Sequence, residues 1–126
     1  MKHLFYFHGD VKNISWVIQT DESTAEQNRE QVDIYKDKIS DLQSKYIALH
    51  VGLFWGIGVF IIKNDDCIKI KCDDKKIFEH LTSKIKSTDE FIEKRIFFIN
   101  QLINQRKLNV EFEFIKQNEN LAIRKR

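Results

Sequence analysis

The stretch that most constrains the fold runs from Ile68 to Leu81, IKIKCDDKKIFEHL, where a strand-like alternation passes directly into a helical apolar pattern. Asp73 and Asp74 stand at the junction between the two patterns. In open α/β sheets, ligands bind beyond the carboxyl ends of the strands, so a carboxylate at this junction is a candidate site residue. Asp is also a preferred helix N-cap, and the motif by itself favours that structural role.

Composition and length set broad limits on the class of protein. The chain has 126 residues, of which 42% are hydrophobic and 32% charged, and we expect a single domain over residues 1–126. The net charge of +2 is small, so any polyanion binding must come from local clusters of Lys and Arg. Cys67 and Cys72 would point to opposite faces of one strand, which favours reduced thiols. Together with an N-terminus that lacks signal-peptide features, this predicts a cytoplasmic protein.

Hydrophobic periodicity predicts a mixed α/β fold with elements in the order β-β-β-α-β-α-α-β, in which helices flank a mixed sheet. The polar stretch from Thr20 to Glu30 has no apolar period, and we predict a loop or a frayed hairpin connection there. The predicted strands are His3 to His8, Ile14 to Gln19, Val32 to Tyr35, a strand that ends at Cys72, and Val110 to Ile115. The predicted helices begin near Ser40, at Asp73 or Asp74, and at Asp89; the last of them ends at Gln105.

One apolar stretch admits two interpretations. From Tyr46 to Ile62, His50 is the only polar side chain, and three glycines provide a small-residue face like those of membrane helices. A membrane span needs about 20 apolar residues, whereas this run is bounded by Lys45 and Lys63 and is short for that purpose. We therefore predict a core helix that lies close to a sheet and consider a membrane partner unlikely on this ground.

Four short motifs, taken in chain order, resemble the bacterial and archaeal type 1 ribonucleases H. That family opens with a strand ending in Asp-Gly, and FYFHGD is similar to it, with His8-Gly9 in that place. The family's first helix carries Glu-Tyr, Ala-Leu and Gly-Leu, and the same spacing is found in Lys45-Tyr46, Ala48-Leu49 and Gly52-Leu53. Its strand ending in Asp-Ser-Lys is matched by Asp73-Asp74-Lys75, and VEFEFIKQNENLA is similar to its last strand and the Asn-rich segment that follows. The resemblance covers nearly the whole chain and implies a ribonuclease H-like fold.

The resemblance also implies which residues replace the family's catalytic groups. Type 1 ribonucleases H use four carboxylates to hold two divalent metal ions, which activate water and stabilise the leaving oxygen. The corresponding positions here are His8, Lys45, Asp73 and the neighbourhood of Ile123, so only Asp73 is a carboxylate. Because Mg²⁺ prefers oxygen ligands, the resemblance implies a degenerate enzyme with no cofactor, or Mg²⁺ or Mn²⁺ if activity remains.

Other residues offer a second route to a metal site. Asp10, Asp74 and Glu119 lie near the lost positions and could rebuild it, although each also has a simple role as turn former, helix cap or solvated charge. His8 together with Asp73 could hold a single softer ion such as Mn²⁺ or Zn²⁺, but two protein ligands are fewer than the three usual in a catalytic zinc site.

Nucleic-acid binding does not depend on the carboxylates. Phosphate contacts give sequence-independent affinity, and the candidate phosphate-binding residues are Lys45, Lys75, Lys76, Lys84, Lys86, Arg106, Lys107, Arg124, Lys125 and Arg126. Acidic residues between them make an ordinary solvated surface the competing interpretation. Lys45 is a special case, because at a former metal position its ammonium group would meet a phosphate or pair with Asp73.

Three function classes remain open. The preferred one is a ribonuclease H-fold protein without hydrolase activity that binds nucleic acid, either an RNA/DNA hybrid or a structured RNA, or serves in an assembly. The second is an active, divergent, metal-dependent ribonuclease H that cleaves the RNA of hybrids. The third is a scaffold that binds only a protein partner, with the first helix and the acidic residues 21–30 as its exposed features.

Overall fold

A computed structural model describes residues 1–21, 23–83 and 86–123. The strands are β1 (Lys2–Gly9), β2 (Asn13–Thr20), β3 (Ser23–Glu30), β4 (Cys67–Cys72) and β5 (Asn109–Phe114). The helices are α1 (Asp41–Gly58), α2 (Lys75–Ser83) and α3 (Glu90–Gln105), and a 3₁₀ turn over Gln117–Glu119 follows β5. These elements confirm the mixed α/β class and the element order.

The strands form a five-stranded sheet in the order β3-β2-β1-β4-β5. The first three strands form an antiparallel meander, whereas β4 pairs in parallel with both β1 and β5. Because β1, β4 and β5 are parallel, their carboxyl ends lie together at one end of the strands, here called the carboxyl edge; the other end of these strands is the amino edge. Ligands of α/β sheets bind at the carboxyl edge.

The core lies between the sheet and α1, which packs directly on β1 and β2. Phe5 and Trp16 are fully buried against this helix, and the helix approaches them closely at Gly52. A Cβ atom on Gly52 would lie 2.6 Å from Phe5 Cζ and 2.9 Å from Trp16 Cγ, so only glycine fits there. The apolar stretch is thus a core helix, and among the described residues no helix has the length and apolarity that a membrane crossing requires.

Two predictions between β2 and α1 were wrong. The polar stretch predicted as a loop is β3, an edge strand whose residues are mostly exposed and therefore need no apolar alternation. The strand predicted from Val32 to Tyr35 is instead part of a series of turns, in which the N–H groups of Tyr35 and Lys36 both donate to the Val32 carbonyl at 2.9 Å. Val32 and Ile34 are exposed, so their apolar character reflects no buried face.

The helix starts follow the predicted capping chemistry. Ser40 caps α1 with a complete capping box: Ser40 Oγ accepts from Gln43 N, and Gln43 Oε1 accepts from Ser40 N, both at 3.0 Å. Asp89 caps α3 by accepting from Phe91 N at 2.9 Å. Both cysteines are free, and burial raises the pKa of the Cys72 thiol to about 12, with the charges of the two following Asp residues acting in the same direction.

Candidate functional site at the carboxyl ends of β1 and β4

The parallel pairing of β1 and β4 brings two predicted site residues to one edge. Tyr6 is in register with Lys71, so His8 and Asp73, each two residues further along, are both at the carboxyl ends of these neighbouring strands. His8 is half-buried and its Nδ1 atom is inaccessible to solvent. Asp73 is also half-buried and stands between β4 and α2.

Asn120 fixes the position of Asp73. This asparagine is fully buried, and its Nδ2 donates to Asp73 Oδ2 at 2.9 Å and to the Phe7 carbonyl at 3.0 Å. Its own Oδ1 accepts from Ala122 N at 2.9 Å, and Ser15 Oγ donates to the Ala122 carbonyl at 3.0 Å. The segment after β5 therefore crosses this edge of the sheet and occupies one oxygen of Asp73.

Asp74 uses both of its oxygens in contacts within the chain. Oδ1 accepts from the N–H groups of Lys76 at 2.9 Å and Ile77 at 3.3 Å, which makes Asp74 the N-cap of α2. Oδ2 lies 3.2 Å from Lys45 Nζ, and the two side chains are only 23% and 14% exposed. We expected Lys45 to meet Asp73 or a phosphate; the ion pair in the structure is with Asp74.

The position of Lys45 follows from the close approach of α1 to the end of β1. A Cβ atom on Gly9 would lie 2.7 Å from both the carbonyl carbon and the carbonyl oxygen of Ser44, so no larger residue fits beside the helix. Gln31 Nε2 donates to Ser44 Oγ at 2.6 Å and fixes the same turn of the helix. Because Gly9 has no side chain, α1 can pack against the end of β1, and this packing places Lys45 at the carboxyl ends of the strands.

The remaining carboxylates proposed as replacements have local roles. Asp10 Oδ1 accepts from Lys12 N at 2.9 Å and from Asn13 N at 2.8 Å, and so forms the turn between β1 and β2. Glu119 Oε1 accepts from Lys116 N at 2.9 Å within the 3₁₀ turn. Both side chains stabilise the loops in which they lie.

The donor set at this edge differs from that of a two-metal centre. Such a centre requires several oxygens within a few ångströms of both ions. Among residues 1–21, 23–83 and 86–123, no group of three or more His, Cys, Asp and Glu side chains could hold a metal ion. One oxygen of Asp73 is engaged by Asn120, and a lysine ammonium contacts Asp74. The residues present therefore do not fit a pair of Mg²⁺ ions.

Part of the predicted basic set lies beside this edge. Lys75, Lys76 and Lys86 are exposed, and the last two line one groove of about 240 Å³ next to α1 and α2. Lys75 lies 3.8 Å from Glu79 in an exposed ion pair, and Glu79 also lines the groove. Lys84, Arg124, Lys125 and Arg126 lie outside the described residues.

Tyr46 and His80, which both line the same groove, are hydrogen-bonded to each other, and Glu93 lies close to the far side of the imidazole. Tyr46 Oη and His80 Nδ1 are 2.7 Å apart, and His80 Nε2 lies 3.6 Å from Glu93 Oε1. Burial, reinforced by the negative charge of Asp74, raises the pKa of the Tyr46 hydroxyl, so the tyrosine stays neutral. These contacts join α1, α2 and α3.

Sequence reasoning missed a second carboxylate network at the opposite edge. Asp66, immediately before β4, is buried and accepts from His3 Nε2 and Lys63 N at 2.8 Å and from the Met1 amino group at 3.1 Å. His3 Nδ1 lies 2.5 Å from Thr20 Oγ1. Burial opposes the charged form, but these hydrogen bonds outweigh it and lower the pKa of Asp66 to about 2.

Sequence reasoning also missed the contact between Asn120 and Asp73, and neither this contact nor the Asp66 network carried a signal in the sequence. Asn120 lies in a polar segment without periodicity, and its partner Asp73 is 47 residues away. His3 and Asp66 are separated by 63 residues. Only the pairing of β1 with β4 brings the second pair together.

No family model matches the chain, and no curated protein matches it in sequence. The sheet order and the three covering helices define an α/β protein with a mixed five-stranded sheet. Within that class the chain has a ribonuclease H-like fold, as the following solved structures show.

RNase H1 from the halophilic archaeon Halobacterium salinarum is 14% identical, with a TM-score of 0.73 over 97% of this chain and 91% of that one. The N-terminal RNase H domain of a Mycobacterium tuberculosis protein, solved as a fusion with maltose-binding protein, is 19% identical, with a TM-score of 0.76 over 98% and 88%. LC11-RNase H1 in complex with an RNA/DNA hybrid is 14% identical, with a TM-score of 0.71 over 98% and 91%. At these identities the likeness establishes the fold.

Proposed function

We propose that this chain is a ribonuclease H-fold protein that binds nucleic acid without cleaving it. The observation that carries the proposal is the ion pair between Lys45 and Asp74, 3.2 Å long, next to an Asp73 that is already held by Asn120. On the resemblance to type 1 ribonucleases H, His8, Lys45, Asp73 and the neighbourhood of Ile123 correspond to the four metal-binding carboxylates. A lysine ammonium then stands where the family has a metal ligand.

Electrostatics supports the loss of hydrolysis. A unit positive charge within a few ångströms of a metal position opposes binding of a divalent cation, and at a half-buried edge this repulsion is only partly screened. Imidazole at the His8 position is also a poor ligand for Mg²⁺ compared with carboxylate oxygen. We therefore propose a structural role for Asp73, Asp74 and Asp10: their carboxylates stabilise the loops and the helix start at this edge and do not bind a pair of metal ions.

The binding half of the proposal is supported by the basic groove and by the structural relatives. Lys76 and Lys86 line a groove that opens beside the same edge, and Lys75 precedes them at the start of α2. LC11-RNase H1 and the foamy viral protease-reverse transcriptase were both solved with RNA/DNA hybrids. We propose a hybrid or a structured RNA as the partner of this chain, held mainly through phosphate contacts.

The test combines cleavage and binding on one labelled RNA/DNA hybrid. We expect no cleavage with Mg²⁺ or Mn²⁺, and binding that weakens steeply as salt rises because phosphate contacts release counterions. Lys76→Glu should weaken binding about tenfold, whereas Lys2→Glu, an exposed change at the amino end of β1, is the matched control and should have little effect. Cleavage that requires Asp73 would establish the active enzyme instead.

Two further variants test the role of the edge. Asp73→Asn should leave hybrid affinity unchanged, and Lys45→Glu should reduce it about tenfold because an ammonium is replaced by a carboxylate. Thermal melts must show that both variants are folded. Failure of the wild-type chain to bind hybrid, duplex or single strands at low salt would favour a scaffold that binds only protein.

A further inference from the structure

The carboxyl end of α1 is closed by a turn that contains phenylalanine where glycine is usual. Phe60 N–H donates to the Ile57 carbonyl at 3.1 Å, and Ile61 N–H donates to the Gly56 carbonyl at 3.0 Å, which together form a Schellman motif. In this motif the residue after the C-cap adopts the left-handed conformation, and here it is Phe60, with φ 65°. That conformation is sterically unfavourable for any residue with a Cβ atom, and glycine adopts it freely.

Burial does not compensate for the strain at Phe60. Phe60 is 79% exposed, the largest exposure among the large hydrophobic residues that the structure describes. Phe54, on the last turns of α1, is 63% exposed. Gly58 lies two residues before Phe60, yet its φ is not positive and it does not make the turn. Neither the turn nor the core of the described chain therefore requires a phenyl ring at this position.

The two rings line a groove of about 580 Å³ together with cationic and amide groups. Lys63 and Arg106 are the charged residues of the lining, which also includes Asn64. Both cationic side chains are exposed, and neither forms an ion pair with any residue in the described part of the chain. The groove thus combines exposed aromatic side chains with two cationic side chains, and the carboxylate-bearing Asp65, whose N–H donates to the Arg106 carbonyl at 2.9 Å, follows Lys63 and Asn64 in the chain.

We propose that this groove binds single-stranded nucleic acid, with bases stacked on Phe54 and Phe60 and phosphates against Lys63 and Arg106. Aromatic platforms beside a positive groove are typical of single-strand sites. The amide of Asn64 adds a donor and an acceptor for a base edge. The groove lies at the amino ends of β4 and β5, so it adds a second surface to the nucleic-acid binding proposed above.

The test uses fluorescein-labelled dT₁₂ and rU₁₂ with the whole chain, measured by anisotropy at several salt concentrations. We expect Phe60→Gly to weaken binding about fivefold to a hundredfold, because base stacking on one ring is lost. The same change should leave the melting temperature unchanged or raise it by up to about 5 °C, because glycine relieves the strained turn. Weaker binding without loss of stability is a result that a purely structural role for Phe60 would not give.

Matched variants separate stacking from charge. Lys63→Ser and Arg106→Ser should each lower the slope of log affinity against log salt by about 0.7, as expected for one lost phosphate contact on a single strand. Phe97→Ser removes a ring that is 62% exposed on α3 and should leave affinity for dT₁₂ unchanged.

Three results would overturn the inference. The first is no binding of dT₁₂ or rU₁₂ by the wild-type chain at low salt. The second is equal binding by wild type and Phe60→Gly. The third is self-association in sedimentation velocity that Phe60→Gly abolishes, which would assign the groove to a protein contact. The labelled RNA/DNA hybrid is measured in parallel. Hybrid binding that depends on Lys76 but not on Phe60 tests the proposed function alone. Either proposal can therefore fail while the other holds.

Discussion

The two edges of the sheet both contain carboxylates, and they use them differently. At the amino end of β4, Asp66 is buried and accepts three hydrogen bonds, one of them from a charged amino group. At the carboxyl end, Asp73 and Asp74 are half-buried and divide their contacts among Asn120, Lys45 and the first turn of α2. An acidic residue beside a strand end of this fold can thus have a structural role, and we expect its burial to determine how strongly the stability of the fold depends on it.

The largest effect is expected at the amino edge. Asp66→Asn removes the charge that the amino group, the imidazole and the Lys63 N–H all face, and it places an amide donor against those donors. We expect a loss of roughly 3 kcal/mol in the free energy of unfolding at pH 7, as for other broken buried charge contacts. Urea denaturation of both proteins measures it. A loss of less than about 1 kcal/mol in the free energy of unfolding would mean that the carboxylates at the two ends of the strands contribute equally to stability.

The same carboxylate should make the protein sensitive to acid. The pKa of Asp66 is lowered from 3.8 to about 2 in the folded chain, so its contribution is fully present above pH 4 and is lost as the pH falls towards 2. The loss should be roughly 2 kcal/mol over that window. The free energies of unfolding of wild type and Asp66→Asn, measured as a function of pH, should differ by about 2 kcal/mol less at pH 2 than at pH 5. A difference that does not change with pH would contradict the lowered pKa of Asp66.

At the carboxyl edge, Asn120 should matter most. Asn120→Ala leaves the Phe7 carbonyl and the Ala122 N–H buried without their partner, and it opens a small cavity. We expect a loss of roughly 2 kcal/mol. Asp73→Asn is the paired control, because it changes only the half-buried end of the same hydrogen bond and should cost less than 1 kcal/mol. Chemical denaturation of the two variants compares them directly, and equal losses would show that Asp73 itself holds the segment after β5.

The smallest effect is expected for the ion pair of Lys45. Lys45→Met keeps most of the side-chain volume and removes the contact with Asp74, which should reduce stability by about 0.5–1 kcal/mol. Lys75→Met breaks the exposed pair with Glu79 and should change it by less than about 0.3 kcal/mol. Thermal melts at low and high salt test the difference, and a Lys45 effect that salt abolishes would show that the pair is as exposed as the one on α2.

The sequence allowed prediction of the elements whose pattern matches their burial. The helix from Asp41 and the strand that ends at Cys72 each bury one regular face, so periodicity located both. β3 escaped because an edge strand with two exposed faces carries no apolar period, and Val32 and Ile34 misled because exposed apolar residues can lie in a turn. In both segments the position of the residues in the folded chain determined the structure, and a short stretch of sequence does not contain that information.

The candidate site was predictable only as a list of residues. The junction after β4 identified Asp73 and Asp74, and the N-cap role of Asp74 follows from local chemistry alone. The resemblance placed Lys45 near this junction, but the predicted partner was Asp73 or a phosphate and not Asp74, and Asn120 was not predicted at all. Lys45 and Asn120 reach the edge through the packing of α1 and of the segment after β5. Which of two adjacent carboxylates a lysine meets depends on side-chain direction at a strand end, and spacing in the sequence does not fix it.

The polar composition of β3 also bears on how the folded chain avoids its own copies. An outer strand offers a row of unpaired backbone groups to any strand of another molecule, and charged side chains along it discourage such pairing. β3 carries Glu26, Arg29 and Glu30, and the other outer strand, β5, carries Glu111 and Glu113. The charged side chains on both outer strands are therefore expected to disfavour pairing with another copy, and on β3 the same polar composition is what hid the strand in the sequence.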